Sequence, residues 1–330
     1  MKTKTLKILT LMLSIIITAM FITACQSKPD TETEIRISVL NGTTGFGMAK
    51  LINDSKNDKA SLNYKFTVES DASNITAALV NKTVDIAALP TNAAANLYNT
   101  TNGGVKIVAI NTLGVLYLMT NSEKITISDF SELKGKTVYC PAQNPTFIFE
   151  YLCKKNGLKV GEDVIIDNSF AQPADLRTAL ASGQVDIAVL PEPMVTIAQS
   201  ANDKLKVSLD LTAEWDKVAE PGSLAQGCIV ARTEFIEEHK TELDKFLEEY
   251  KASVEFTVEN PKEASEAIQS ENIFTNAAVA EKAIPKCNIC YVDGNEMKSS
   301  LDKFFTALYS VAPASIGNKV PDSGIYYTGE

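Results

Sequence analysis

The chain has few of the side chains that most catalytic sites require. Its single histidine, His239, lies in a polar run of a helical pattern, where a solvent-facing position is expected. The sequence therefore offers no Ser–His or Cys–His pair for nucleophilic catalysis. Arginine is nearly as scarce, with only Arg36, Arg177 and Arg232 as candidates for a bidentate clamp on an anion. We predict a protein that is not an enzyme.

Positive charge is also in deficit. The chain has 31 Lys and Arg residues against 41 Asp and Glu residues, which gives a formal net charge of −10. Such a surface repels phosphate backbones, which argues against nucleic acid as a partner. Gly42, Gly45 and Gly47 lack the Gly-x-Gly-x-x-Gly spacing, and no Gly-Lys-Ser/Thr is present, so both nucleotide fingerprints are missing. We predict no cofactor.

The cysteines form no recognisable framework. Five follow Cys25, and an odd, scattered set does not pair into a disulfide scaffold; they are Cys140, Cys153, Cys228, Cys287 and Cys290. The last two make a single Cys-x-x-Cys motif, and a zinc site would need two further ligands. These cysteines are either small buried side chains or, in the last pair, one local disulfide. No metal site is predicted.

The amino terminus has the pattern of a secretory signal. Three early lysines precede an apolar run over Ile8–Ile22, which is short for a membrane-spanning helix, and the run ends in Thr23-Ala24-Cys25. This ending resembles the lipobox of bacterial lipoproteins. The resemblance implies that residues 1–24 are a signal peptide, that Cys25 carries lipid, and that residues 25–32 are a tether. The alternative is a plain cleaved signal with an incidental cysteine.

One segment of the chain occurs twice. Residues Ala78–Pro90 and Ala179–Pro191 are identical at eight of 13 positions. Each copy predicts a short helix, a polar turn, a buried strand and a closing proline, and Gly183 suits a left-handed helix stop. Asp85 and Asp186 are expected to have structural roles at the turn rather than catalytic ones. Two copies predict two similar α/β units and not a solenoid, which needs at least three.

The remaining segments alternate between strand and helix patterns. Strands are predicted at Ile35–Leu40, Leu62–Val68, Val84–Leu89, Lys106–Ile110, Val115–Met119, Lys136–Cys140, Val164–Ile166, Val185–Leu190, Leu205–Leu209 and Cys228–Ala231. Apolar residues at helical spacing predict helices around Leu243–Val254 and Met297–Leu308, and Asn260-Pro261 predicts the cap and first turn of another. This alternation predicts doubly wound sheets, and 330 residues are too many for one core.

Several motifs, taken in order, resemble one family. They are the lipobox, Asn41-Gly42-Thr43-Thr44-Gly45, the repeated Val-Asp-Ile-Ala-x-Leu-Pro, Leu133–Val138 and Leu190–Pro193. Together they are similar to the solute-binding lipoproteins of ABC importers, in the group that binds aliphatic sulfonates, taurine, nitrate and thiamine pyrimidines. The resemblance implies an α/β, two-lobed periplasmic-binding-protein fold of type II, with a ligand cleft between two doubly wound lobes.

The resemblance also implies domain boundaries and partners. Lobe I would take residues 33–118 and 229–330, and lobe II residues 119–228, with hinges near Leu118–Asn121 and Gly227–Val230. The protein would be a monomer outside the cytoplasm, anchored to the bacterial membrane by lipid. It would deliver a small-molecule solute to the permease of an ABC importer.

The family's binding loops follow strand ends. The resemblance maps them onto Thr43, Thr44, Gly45, Thr91, Asn92, Asn111, Thr112, Gln143, Asn144, Thr146, Glu192, Ser223 and Gln226. Two sites keep a second interpretation: the loop at Thr43 also fits a plain strand-to-helix turn, and Glu192 also fits the first turn of a helix. Trp215 either stacks on a ring of the solute or fills the edge of the core.

The residue types favour some solutes over others. No arginine lies in a predicted cleft loop, so an anion would depend on helix amides and hydroxyl groups. A neutral or amine-bearing ring that uses Glu192 and Asn or Gln side chains fits at least as well.

Two other functions compete with solute binding. Enzymes of menaquinone- or thiamine-precursor chemistry resemble this fold, but they work inside cells, which conflicts with the leader. An adhesin or scaffold would usually show further repeats or Ser/Thr-rich stalks, and the sequence has neither.

Overall fold

The computed structural model describes residues 33–329. The predicted signal peptide, the predicted lipidation site Cys25 and the predicted tether at 25–32 lie outside these residues. Within 33–329, no helix is both long and apolar enough to cross a membrane.

The strands of residues 33–329 form two mixed sheets. Their bounds are β1 Ile35–Leu40, β2 Tyr64–Glu69, β3 Ile86–Pro90, β4 Val105–Thr112, β5 Leu116–Asn121, β6 Lys136–Tyr139, β7 Val164–Asp167, β8 Ile187–Pro191, β9 Leu205–Asp210, β10 Gly227–Arg232 and β11 Ile289–Val292. The first sheet has the order β11-β4-β10-β3-β1-β2, and the second has β7-β6-β8-β5-β9. Each predicted strand segment is confirmed, while β11 was not predicted because its four residues carry no clear alternation.

Helices cover both sheets. The first ten, in chain order, are α1 Thr43–Phe46, α2 Ala49–Lys56, α3 Ala72–Val80, α4 Thr91–Thr100, α5 Asn144–Lys155, α6 Pro173–Ala181, α7 Met194–Ala201, α8 Leu211–Val218, α9 Thr233–Glu238 and α10 Lys240–Glu259. The carboxyl-terminal helices are α11 Pro261–Ser270, α12 Ala277–Ala283 and α13 Gly294–Tyr309, and a 3₁₀ turn spans Ile284–Lys286. Pro261 opens α11 as predicted, but the Asn260 amide donates back to Phe256 O of α10 at 3.2 Å instead of capping α11.

Parallel pairing dominates the half of each sheet that carries the repeat. In the first sheet β1 pairs in parallel with β2 and β3, whereas β10 runs antiparallel to β3 and β4. In the second sheet β6 pairs in parallel with β7 and β8, whereas β5 runs antiparallel to β8 and β9. The carboxyl ends of β1, β2, β3 and β4 therefore share one edge of the first sheet, and those of β6, β7 and β8 share one edge of the second.

The two repeat copies adopt the same local structure, one in each sheet. The first comprises α3 and β3, and the second α6 and β8. Gly183 has the predicted left-handed conformation with φ 76°, and Lys82, at the matching position of the first copy, adopts φ 58°. A left-handed residue stops both helices, and only the second copy meets this need with glycine.

The largest core cluster joins the two sheets. It contains Trp215, which is fully buried, packs against Tyr151 with ring centroids 4.7 Å apart, and donates from Nε1 to Ser223 Oγ at 2.9 Å. Trp215 is therefore a core residue, in line with the interpretation that it fills the core instead of stacking on a solute.

Cys287 and Cys290 pack into different clusters. Cys287 belongs to the cluster around α2 and α10, and Cys290 packs against the one that contains Trp215. Among residues 33–329 all five cysteines are free thiols, and four of them are buried. The interpretation as small buried side chains therefore holds, with Cys290 partly exposed.

Candidate functional site

The chain crosses from one sheet to the other at two places beside their facing edges. The first crossing is Leu113–Val115, between the end of β4 and the start of β5, and the second runs through α8 between β9 and β10. The predicted hinge at Leu118–Asn121 lies inside β5 instead, where every residue is buried.

Gln226 ties the crossing segments together. Its side-chain Oε1 accepts from Val115 N at 2.7 Å, its backbone N–H donates to Thr112 O at 3.0 Å, and its carbonyl accepts from Thr91 N at 3.1 Å. The Gln226 side chain, predicted to contact solute, is thus engaged in positioning the ends of β3 and β4 against the start of β5.

A cavity of about 870 Å³ opens between the strand-end edges of the two sheets. The first sheet contributes α3 and α4, and the second contributes the amino-terminal ends of α5 and α6. Side-chain amides dominate its polar lining, which includes Asn81, Asn92, Asn96, Gln143, Asn144 and Gln172. Such a volume suits a small organic molecule.

Two of these amides have buried oxygen atoms without a partner. Asn92 and Asn144 are 7% exposed, and the Oδ1 atom of each has no hydrogen-bond partner within residues 33–329. The neighbouring Thr91 does not line the cavity. Leaving a buried polar atom unpaired costs about 1–3 kcal/mol, so these atoms favour a molecule with N–H or O–H donors.

The charge of the cavity is weakly acidic. Of its lining residues in the described chain, Asp71 is the charged one, and neither lysine nor arginine is among them. The Asp71 carboxylate accepts from Ser73 N at 2.8 Å and caps α3. That backbone hydrogen bond is the main reason that the pKa of Asp71 is lowered, so the carboxylate stays ionised at neutral pH.

A second group of predicted residues lies beside the cavity, and its members form hydrogen bonds with one another. Asn111 donates from Nδ2 to Thr44 O at 3.0 Å, and Thr112 Oγ1 donates to Asn111 Oδ1 at 3.1 Å. Gly45 is tightly enclosed, because a Cβ there would lie 2.4 Å from Leu40 O. Thr43 and its neighbours form α1, so the strand-to-helix interpretation of this loop describes its local structure.

Thr146 and Ser223 have local structural partners. Thr146 Oγ1 donates to Pro141 O at 2.7 Å and accepts from Asn168 Nδ2 at 2.7 Å, which braces the loop before α5. Ser223 Oγ donates to Glu220 O at 2.5 Å while it accepts from Trp215. Neither residue lines the cavity.

Glu192 also lies outside the cavity lining. It is 1% exposed, and its carboxylate accepts from Thr196 N at 3.1 Å and from Thr196 Oγ1 at 3.0 Å. Glu192 therefore caps the amino-terminal end of α7, in line with the interpretation as a helix-start acid. Burial raises the pKa of this carboxyl, although the bonds from Thr196 and the charge of Lys286 oppose the rise.

Two lining residues, Asp71 and Gln172, were not predicted from the sequence. Asp71 follows the carboxyl end of β2, and Gln172 precedes α6 after β7. Asn92 and Asn144 came from the family resemblance, whereas the general preference of ligands for the carboxyl ends of parallel strands, applied to β2 and β7, would have indicated Asp71 and Gln172.

Comparison with known proteins identifies similar chains. A family model described as NMT1/THI5 like matches residues 58–264. No curated protein sequence matches. The structure of an ABC transporter protein from Parabacteroides distasonis superposes with a TM-score of 0.75 at 24% identity, covering 90% of this chain and 99% of that one.

Two other solved structures show the same fold. The periplasmic aliphatic sulphonate binding protein SsuA of Escherichia coli has a TM-score of 0.72 at 14% identity, covering 89% of this chain and 92% of that one. The CA3427 gene product of Candida albicans, described as having the generic periplasmic binding protein fold, has a TM-score of 0.57 at 12% identity, covering 89% of this chain and 93% of that one. The predicted fold class is confirmed.

Proposed function

Because this chain belongs to the NMT1/THI5-like family, we propose that it binds a small solute in the cavity between its two sheets and passes it to an ABC-type import permease. The cavity, with polar atoms that lack partners, supports the binding step. The similar structures from ABC transporters and the sulphonate binding protein support the link to transport. Release of the solute unchanged, measured by mass spectrometry, would separate this function from that of an enzyme.

We also propose where the protein acts and how its chain divides into two lobes. The protein acts outside the cytoplasm as a monomer held at the membrane by lipid on Cys25. Each sheet is the centre of one lobe, with boundaries at the crossings near Leu113–Val115 and Gln226 in place of Leu118 and Cys228. The solute enters where the strand-end edges of the two lobes face each other.

Asn92 and Asn144 carry the proposal. Asn92 lies in α4 beside the first sheet, Asn144 begins α5 beside the second, and both present unpaired acceptor oxygens. A solute with donors on two edges would pair with both lobes at once. With Asp71 nearby and no cationic side chain in the described lining, an uncharged or amine-bearing solute is favoured over a sulfonate.

A ligand panel tests the proposed solute class. Purified protein would be screened by thermal shift and calorimetry against aminopyrimidines, small amines and amides, and alkanesulfonates. A bound solute at 100 times its Kd should add about 2.7 kcal/mol to the free energy of unfolding. Stabilisation by sulfonates alone would reverse the preferred class, and no heat from any class would contradict solute binding.

Variants test the residues. Asn92→Ala and Asn144→Ala should each weaken the Kd by roughly tenfold, because each removes a hydrogen bond worth about 1.4 kcal/mol. Asn156→Ala is the matched control, since this exposed amide lies at the opposite end of α5 and bonds to Leu152 O. Equal effects at Asn144 and Asn156 would remove Asn144 from the site.

A further inference from the structure

Glu192 and Lys286 face each other between the two sheets, and neither residue lines the cavity. Lys286 Nζ lies 3.9 Å from Glu192 Oε1. We propose that this pair is an interlobe latch that sets the affinity for solute without contacting it. The latch stabilises the arrangement in which Asn92 and Asn144 line one cavity, and its effect on affinity rests on the function proposed above.

The latch joins elements of different sheets. Glu192 follows β8 of the second sheet, and its backbone N–H donates to Val115 O at 3.0 Å. Lys286 ends the 3₁₀ turn before β11 of the first sheet, and its carbonyl accepts from the hydroxyl of Tyr117 in β5 at 3.0 Å. A rotation of one lobe against the other must therefore change both contacts of Lys286.

The same segment reaches the chain crossing. Asn288, two residues after Lys286, donates from Nδ2 to Gly114 O at 2.5 Å, and its carbonyl accepts from Leu113 N at 3.0 Å. Hydrogen bonds from this short segment thus connect the latch to the crossing. Loss of the latch should therefore make the crossing more mobile. The affinity measured for a solute falls in proportion to the population of the arrangement that can bind it.

Charge makes the latch sensitive to pH. The titratable groups near Glu192 are Lys286, Tyr117 and Cys287, and burial raises the pKa values of Tyr117 and Cys287, so both stay neutral near pH 7. Burial also raises the pKa of Glu192 above its ordinary value of about 4.3. As the pH falls through that raised pKa, Glu192 loses its charge and Lys286 loses its partner.

A distance measurement without solute tests the latch. Spin labels on non-natural amino acids at Asn102 and Lys159, exposed positions of the first and second lobe, report the lobe separation by electron resonance. Lys286→Gln and Glu192→Gln should each shift the distance distribution, the double variant should shift it no further, and Lys286→Arg should restore it. Lys282→Gln, an exposed lysine one turn earlier, should leave it unchanged. Unchanged distances in Lys286→Gln and Glu192→Gln, or an equal shift in Lys282→Gln, would overturn the proposal.

Calorimetry then measures the consequence for binding. With any solute found in the panel, Lys286→Gln and Glu192→Gln should weaken the Kd by roughly fivefold. Wild-type affinity should fall on acidification through the raised pKa of Glu192, and Glu192→Gln should lack this step. Normal solute binding and unchanged lobe distances in the two variants would contradict the latch and leave the proposed function intact. Altered lobe distances in a protein that binds no solute of the panel would support the latch and contradict the proposed function.

Discussion

Asp85 and Asp186 hold the same place in the two repeat copies and have different surroundings. The Asp85 side chain is 4% exposed and accepts from Arg36 Nε at 2.8 Å and from Arg232 at 2.7 Å. Asp186 is 45% exposed and pairs with Lys124. Asp85 therefore fastens β1, β3 and β10 together, and its predicted structural role is confirmed.

Asparagine at these two positions should have unequal effects on stability. Asp85→Asn should lower the free energy of unfolding by about 3 kcal/mol, because it leaves two guanidinium groups beside a neutral side chain. Asp186→Asn, the matched control, should cost less than about 1 kcal/mol. Urea denaturation of both variants at pH 7 measures the difference, and equal losses would contradict the interpretation.

The effect at Asp85 should also depend on pH. Burial would raise the pKa of Asp85, but the hydrogen bonds from Arg36 and Arg232 outweigh it and the net shift is downward. A lowered carboxyl pKa contributes stability above the unfolded value of about 3.9 and loses it as the pH falls through the folded value. The gap between wild type and Asp85→Asn should therefore narrow below about pH 4.

Among the elements, the short crossing Leu113–Val115 has the tightest packing requirement. A Cβ on Gly114 would lie 2.2 Å from Thr212 Oγ1 of α8 and 2.6 Å from Leu224 Cδ2. Its carbonyl also accepts from Asn288. Glycine is needed here for close approach and not for an unusual backbone angle, so the crossing has little space in which to relax.

Adding a methyl group at this crossing should therefore lower the stability of the fold. Gly114→Ala should lower the free energy of unfolding by about 2 kcal/mol through overpacking. Adding Thr212→Ala should recover part of the loss, because it removes the nearest atom and leaves the contact with Leu224. Thermal unfolding of the single and double variants measures both effects. Wild-type stability in Gly114→Ala would contradict the prediction, because it would show that the crossing can rearrange around the added methyl group.

For the whole molecule, the proposed lipid anchor would determine where the two lobes work. The tether at 25–32 would join Cys25 to the start of β1, which lies at the edge of the first sheet opposite the cavity. The cavity would then point away from the attachment point of the chain. That geometry leaves the mouth between the lobes accessible to solute.

Replacement of Cys25 tests the anchor. Cys25→Ala should abolish incorporation of labelled fatty acid and move the protein from the membrane fraction to the extracytoplasmic soluble fraction, because lipid supplies the attachment. Ser27→Ala, in the same tether, should change neither property. Membrane attachment that survives in Cys25→Ala would favour another anchor, whereas wild-type protein that is already unlabelled and soluble would favour the plain cleaved signal.

Local patterns were enough to predict ten of the eleven strands of residues 33–329, the two-sheet α/β class and the importance of strand-end loops. Apolar periodicity follows from which face of a strand or helix is buried, and the repeat exposed the duplicated unit. The family resemblance mapped binding loops onto Asn92, Gln143 and Asn144, and all three line the cavity.

Only the tertiary structure separated the roles of the other polar residues. Gln226 braces the crossing, Ser223 supports Trp215, and Glu192 meets Lys286, which lies 94 positions away in the chain. Each role depends on a partner brought close by the pairing of strands distant in sequence. The type of a side chain limits what it can bind, but its partners in space determine which of those bonds it forms.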